Sequence, residues 1–277
     1  MNIRGSQRGS TSQDIINQYV EEVRYKFWSG LIDMGTFRQL LTTNLIDQFN
    51  DKLEELRQYD FTEFNIKQVM ADLEIQLQVS VEDTIYGLFQ DFTCKYNYDE
   101  YSSNVHLFDG WKTNKSWKIN DKKIVYPRLN GFDSYDGSFQ PFYGVEGTIR
   151  DIEKSLNYLD GGRTESTDDI RDILKKAKDN QQSKKVEFKY FYIDFYKKGT
   201  GHIIWKDKEL IKKLNIFGSR REGSLPPSYG KKVYSDMTQA EKAVVDSFEG
   251  EKEYNKTMQN KNFYLSSVGG NLLQLNA

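Results

Sequence analysis

Between Phe64 and Phe92 the apolar residues Phe64, Val69, Leu73, Leu77, Val81, Ile85, Leu88 and Phe92 recur mostly every three or four positions. An α-helix turns once in about 3.6 residues, so this spacing puts them on one stripe of a single long helix, and such a stripe needs a partner. Thr62, in T-E-F-N, marks its start. Two shorter stripes precede it. Ile15, Tyr19, Val23, Phe27 and Leu31 follow Asp14, a residue suited to capping; Phe37, Leu41, Leu45, Phe49, Leu53 and Leu56 follow Asp33-Met34-Gly35-Thr36, with EELR on the opposite face. Three long amphipathic helices in succession predict an antiparallel helical unit whose stripes form its core.

Beyond about residue 95 the period changes. Tyr96, Tyr98 and Tyr101 lead into VHLF and then DGWKTNKSWKINDKKIVYP, where Gly110 and Asn120-Asp121 read as turns between short strands. An irregular segment containing GFDSYDGSFQPFYG separates these from TIRDIEKSLNYLDGG, a helix capped by Thr148 and stopped by Gly161-Gly162. STDDIRDILKKAKDN predicts another helix, with Ser166 or Thr167 as cap and Asp168 and Asp169 in a first turn that favours negative charge. The clearest strand signal is VEFKYFYIDFYKKGTGHIIWKD: aromatic and β-branched residues, a glycine turn at KKGTG, then the return strand HIIW. Its aromatic positions change face near Tyr190, which predicts two partly covered faces or a bulge. KELIKKLN reads as a short helix and SRREGSLPP as a loop; QAEKAVVDSFEGEKEYNKTM, behind Thr238, reads as one last helix before a tail.

The expected fold class is therefore α+β. A leader over 1–12 precedes a helical region over 13–95. An α+β region over 96–235 follows, with basic sheet hairpins in 104–126 and 186–205, then a C-terminal helix and tail over 236–277.

Cys94, the single cysteine, excludes an internal disulfide and a Cys-rich zinc site. No apolar run approaches the roughly 20 residues of a membrane span, and MNIRGSQRGSTSQD lacks the apolar segment of a secretion signal. A protein of the reducing bacterial cytoplasm, without membrane contact, is expected. Charge is divided along the chain: residues 1–100 hold 9 Lys and Arg against 17 Asp and Glu, the remainder 30 against 24. Positive charge concentrates in 111–128 and 171–221. Such polarity suits an anionic partner, or the mutual attraction of halves within one molecule or a homo-oligomer.

No G-x-G-x-x-G, Walker A or G-x-S-x-G motif occurs. His106 and His202 sit in predicted strands without metal-ligand spacing, Cys94 reads as a buried thiol, and DSYDG reads as a turn although its carboxylates are spaced like part of a calcium loop. No metal or cofactor is expected. One enzymatic constellation is present: Glu187-Phe188-Lys189 on a strand puts acid and base on one face, as in metal-dependent nucleases, and Asp168, Asp169 or Asp172 would complete it.

For nucleic acid, the residues of interest are Lys112, Lys115, Lys118, Lys122 and Lys123 with Trp111 and Trp117, together with Arg220 and Arg221. Rings that stack bases and lysines that meet phosphates must share a face. Strand alternation instead sends Trp111, Trp117 and Ile119 one way, with Lys115, and Lys112, Lys118 and Lys122 the other, so with most lysines apart from the rings this stretch reads as a strand pair facing a core with a basic rim.

GWKTNKSWKINDKKIVYP, FYGVEGTIRDIEKSLNYLDGG and GTGHIIWKDKELIKKLNIFGSRREGSLPP together resemble the successive blocks of a bacterial domain-of-unknown-function family carried by phages, plasmids and conjugative elements. The resemblance extends over most of the chain. Some members of that family are joined to DNA methyltransferase-like modules, which this sequence lacks. The resemblance implies a mobile-element accessory protein that acts by binding a host protein complex, in the manner of counter-defence proteins directed at Gabija-type systems, which cover a large enzyme through extended interfaces. The 18 tyrosines suit such an interface. A nucleic-acid-binding accessory is the alternative, and a metal-dependent nuclease the third reading.

Overall fold

The computed structural model describes residues 11–32, 43–93, 114–115, 117–127, 129–142, 144–162, 164 and 169–265. The leader to residue 10, Phe37, Leu41, Cys94, His106, Gly110, Trp111, Lys112, Ser166, Thr167, Asp168 and the tail beyond Leu265 lie outside the described residues. The chain divides into two compact units between Ser80 and Val81.

The first unit holds α1 (Ser12–Ile32), α2 (Thr43–Leu56) and the beginning of α3 (Glu63–Thr93). Thr11 caps α1: its Oγ1 accepts from the Asp14 N–H at 3.2 Å, and the Asp14 carboxylate takes the Thr11 N–H at 2.8 Å and the Thr11 hydroxyl at 2.7 Å. Asp14 is thus the returning half of a capping box and not the cap itself. The stripe expected to be core faces water, with Ile15 and Tyr19 each 58% exposed and Phe27 57% exposed. Trp28, one position round the helix, is buried instead. Its indole N–H donates to the Tyr59 carbonyl at 3.1 Å and its ring meets Phe61 edge-on at 4.9 Å. An indole carries the largest apolar area and one polar atom that must be satisfied, and here it sets the rotation of α1. Thr62 caps α3 through the Asn65 N–H at 3.2 Å, but Phe64, in the first turn, is 76% exposed and outside the core.

In the second unit Val81, Ile85 and Phe92 of α3 are buried, as the stripe requires, but Phe89 is buried where Leu88 was expected, and Leu88 is half-buried. Among the described residues strands β1 (Asn114–Lys115) and β2 (Lys118–Ile119) pair only with each other; β3 (Lys123–Tyr126), β4 (Val186–Glu187), β5 (Phe191–Tyr196) and β6 (Thr200–Trp205) form an antiparallel sheet in the order β3-β6-β5-β4. Its inner face carries Val186, Ile193, Ile203 and Ile124 in one row, with Phe191, Phe195 and Trp205 around them. Phe92 packs on Trp205 and Tyr126 at 5.7 and 5.5 Å between ring centroids.

The expected long strand from 186 is two strands. The Phe188 N–H donates to the Phe191 carbonyl at 2.9 Å and closes a turn, so the change of face near Tyr190 marks a hairpin. The KKGTG turn forms as expected, with Gly199 at φ 79° donating to the Tyr196 carbonyl at 3.0 Å.

Helix α4 (Val145–Gly161) is buried on every side from Ile152 to Leu159, Glu153 and Lys154 included. Thr148 lies inside it and donates to the Gly144 carbonyl at 3.0 Å, so it is not the cap; Gly162, at φ 71°, does end the helix. Asp169 caps α5 (Ile170–Asp179), accepting from the Arg171 N–H at 2.9 Å, two residues after Thr167 and three after Ser166, the caps expected. Helix α6 (Lys208–Glu222) runs further than KELIKKLN and absorbs Arg220 and Arg221, which the sequence placed in a loop. Gly250, at φ 83°, divides the expected last helix into α7 (Gln239–Phe248) and α8 (Glu251–Gln259), followed by α9 (Lys261–Tyr264). A Thr238–Glu241 capping box opens α7. The tail docks at least as far as Tyr264, whose hydroxyl bonds Glu209 of α6.

Gly218 of α6 lies against the Phe89 ring, where an added Cβ would come within 2.1 Å of a ring carbon. Alanine favours a helix over glycine by about 1 kcal/mol, yet overpacking a rigid core costs about 1–3 kcal/mol or more. Gly218→Ala is therefore expected to lower stability by about 2 kcal/mol in urea denaturation, and adding Phe89→Leu to recover much of that loss.

Candidate interaction surfaces

Strand β2, in the basic stretch, is held by α6. Asn215 Nδ2 donates to the Ile119 carbonyl at 3.0 Å and its Oδ1 accepts from the Ile119 N–H at 2.7 Å, so one side chain acts as the neighbouring strand that β2 lacks. Ser219, a turn later, donates to the Trp117 carbonyl at 3.3 Å. Trp117 sits in the turn between β1 and β2 and is 44% exposed; strand alternation does not govern a turn residue, and the expectation that it faces the core fails.

Among the described residues, the basic side chains singled out in sequence lie in different surroundings. Lys118 turns inward and donates to the Phe248 carbonyl at 2.8 Å, at the C-terminus of α7, where helix carbonyls favour a cation. Arg221 pairs with Asp83 and lies 5.1 Å from the Tyr86 ring centroid. Lys122 and Arg220 are exposed, Lys123 is half-buried, and Lys115 is placed by its backbone opposite Lys118.

Glu187 and Lys189 do not share a strand face, because β4 ends at Glu187 and Lys189 lies in the turn. Glu187 accepts from Lys206 Nζ at 2.7 Å, and that hydrogen bond and charge hold its carboxyl below the usual carboxylate range. Lys189 Nζ donates to Asn157 Oδ1 at 2.6 Å. The Tyr190 hydroxyl lies 2.8 Å from that oxygen and 3.0 Å from Asp160 Oδ2, and its one proton serves one acceptor at a time. Burial, then Asp160, raises the Tyr190 phenol above its ordinary value. Among the described residues no group of three or more His, Cys, Asp or Glu side chains converges as a metal site would. This polar knot fixes the β4–β5 turn on α4.

A surface that sequence reasoning missed lies on the outer face of the sheet. Tyr192 and Tyr196 of β5 point there, with Ile204 opposite Tyr192, His202 opposite Asp194, and Lys123 beyond Ile204. Lys184 Nζ stands 3.0 Å from the Tyr196 ring centroid and Lys206 Nζ 4.6 Å from that of Tyr192. The His202 ring centroid is 4.3 Å from that of Tyr196. Burial, then Lys123 and Lys184, lowers the imidazole below its ordinary value against the opposing pull of Asp194. The strand period alone could have shown Tyr192, Asp194 and Tyr196 sharing a face; that Lys184 and Lys206 reach over the rings is set by the turns on either side.

In the first unit, Ile15, Ile16, Tyr19, Val20 and Phe27 of α1 are all exposed, and at 100° per residue they occupy an arc of roughly 140°. Phe64, Ile75 and Val79 add a second exposed apolar row on α3.

A family model described as a domain of unknown function, DUF4942, matches residues 20–224. The chain belongs to this family. Neither a curated protein nor a solved structure matches it. The DUF4942 match covers the sheet and helices α2 to α6 and ends just after the α6 cap at Gly223, so the outer sheet face and the Asn215 clamp lie inside it. Ile15, Ile16 and Tyr19 precede it, and Tyr229, Met237, Val245, Phe248, Tyr254 and Tyr264, which cluster around Ile216, follow it. That cluster is tied to the DUF4942 part by Lys212 of α6, which pairs with Glu249 at 3.0 Å and Glu253 at 3.3 Å. No helix among the described residues is long and apolar enough to cross a membrane.

Proposed function

We propose that this protein acts without catalysis, by binding another protein through the apolar face of α1, and that its partner is a component of a bacterial antiphage defence complex. The chain is then an accessory of a phage or other mobile element, working in the host cytoplasm as a stoichiometric inhibitor, for example of a Gabija-type assembly. The observation that carries this reading is the single arc of Ile15, Ile16, Tyr19, Val20 and Phe27 left facing water. Isolated exposed apolar side chains are ordinary, but a continuous helical face of this kind marks an interaction surface, and an amphipathic helix docks by residues at i, i+3, i+4 and i+7 spacing. A charge-divided sequence agrees with it.

The reading is tested by co-purification from cells carrying a cloned defence operon. A defence component is expected to co-elute with the protein at fixed stoichiometry. Ile15→Lys with Tyr19→Lys, both on the exposed face, is expected to weaken that association by about 100-fold or more, since buried aromatic and aliphatic anchors carry most of an interface's energy. Unchanged association of the double variant would remove α1 from the interface.

A further inference from the structure

We infer that the outer face of the β3-β6-β5-β4 sheet binds single-stranded nucleic acid, with bases stacking on Tyr192 and Tyr196 and phosphates meeting Lys123, Lys184 and Lys206. This goes beyond the protein-binding reading and does not rest on it, since the surface belongs to the other unit. Binding without sequence preference needs rings and cations on one face, because each nucleotide presents both a flat π surface and a charge. The outer sheet face meets that requirement. Tyr192 and Tyr196 are four residues apart on one strand, about 13 Å, and the row of His202 falls between theirs. An ammonium group stands over one face of each half-buried tyrosine ring, and His202 packs beside that of Tyr196, so a stacking base would take the place of the ammonium. Both cations end flexible stems, and each would exchange its present bonds for a phosphate: Lys184 Nζ donates to the Phe195 carbonyl at 3.1 Å, and Lys206 Nζ to Glu187 at 2.7 Å and to the Phe188 carbonyl.

The two carboxylates on this face are already engaged. Glu187 pairs with Lys206, and Asp194 Oδ1 accepts from the Lys185 N–H at 2.8 Å. Lys122, exposed beside Lys123, adds to the positive edge. A tyrosine ring presents a negative π face, which repels carboxylates and accepts planar bases, so the surface favours nucleic acid over an acidic protein. A duplex keeps its bases stacked inside and offers these rings nothing, which selects single strands.

The full-length protein is tested by fluorescence anisotropy with a labelled oligothymidine of about 20 nucleotides, a duplex of the same length and polyglutamate. The single strand is expected to bind best, and its affinity to fall about 20-fold between roughly 50 and 200 mM salt if three phosphates are met. Tyr196→Ala should weaken it about tenfold while Tyr196→Phe, which keeps the ring, preserves it. Lys123→Glu with Lys184→Glu should weaken it further and flatten the salt dependence. Equal affinity for duplex, tighter binding of polyglutamate, absence of binding at the lowest salt, or indifference to both the ring and the charge variants would overturn the inference.

Discussion

Asn215→Leu is expected to destabilise the protein by about 3 kcal/mol, although it exchanges a polar side chain for an apolar one of similar size in a site that is almost completely buried. Leucine would fill the space, but it can neither donate to the Ile119 carbonyl nor accept from the Ile119 N–H, both of which Asn215 satisfies. Ile119 is itself buried, so its peptide groups would be stranded away from water, each at about 1–3 kcal/mol. Urea denaturation measures the sum, and hydrogen exchange at the Ile119 amide locates it. A loss below about 0.5 kcal/mol, a typical surface substitution, would mean that β2 is held by something other than this clamp.

The second large effect depends on pH. Lys154 is buried in α4, and burial brings its ammonium group down to about 8 from the ordinary 10.5, with Asp151 opposing and Arg150 assisting. The folded protein gives up this proton at lower pH than the unfolded chain does. Between about pH 8 and 10.5 the unfolded state therefore binds more protons, and stability rises with pH across that window. Below pH 8 the full cost applies, about 3 kcal/mol from the difference of the two values. Lys154→Met should remove it. The variant is expected to be more stable than the parent by up to about 3 kcal/mol at pH 7, with the difference shrinking toward zero by about pH 10. The comparison must be between the two proteins at each pH. Tyr158, pushed up to about 12 by burial and by Glu82, removes stability from both above about pH 10, where the unfolded phenol ionises first. A pH-independent difference would show that Lys154 does not titrate in this window.

What could be read in the sequence was local. The α3 stripe from Leu73 to Phe92, the Gly199 hairpin, the Thr238 box and the Gly162 stop follow from the 3.6- and 2-residue periods and from the residues that left-handed turns require. What failed was decided by tertiary contacts. The buried face of α1 is chosen by the Trp28 hydrogen bond to Tyr59, 31 residues away, and no period within the helix reports that. The E-x-K spacing of Glu187 and Lys189 was sound as strand arithmetic, but Asn157 and Glu153 of α4 hold a turn there, through Lys189 Nζ and the Lys189 N–H at 3.1 Å. Strand alternation puts Trp117 and Lys118 on opposite faces of one strand, whereas Trp117 lies in the turn before β2 and the Phe248 carbonyl, from a distant helix, draws Lys118 inward. The tyrosines of the outer sheet face were visible as strand positions; the lysines over them come from outside the strand.

The most direct measurement of the central claim is phage plating on bacteria that carry a defence operon, with the protein supplied in trans. Wild type is expected to restore plaques on at least one such strain, and Ile15→Lys with Tyr19→Lys to lose that restoration while melting at the same temperature as the parent. Full restoration by the double variant, at equal protein level, would contradict a function exerted through the apolar face of α1.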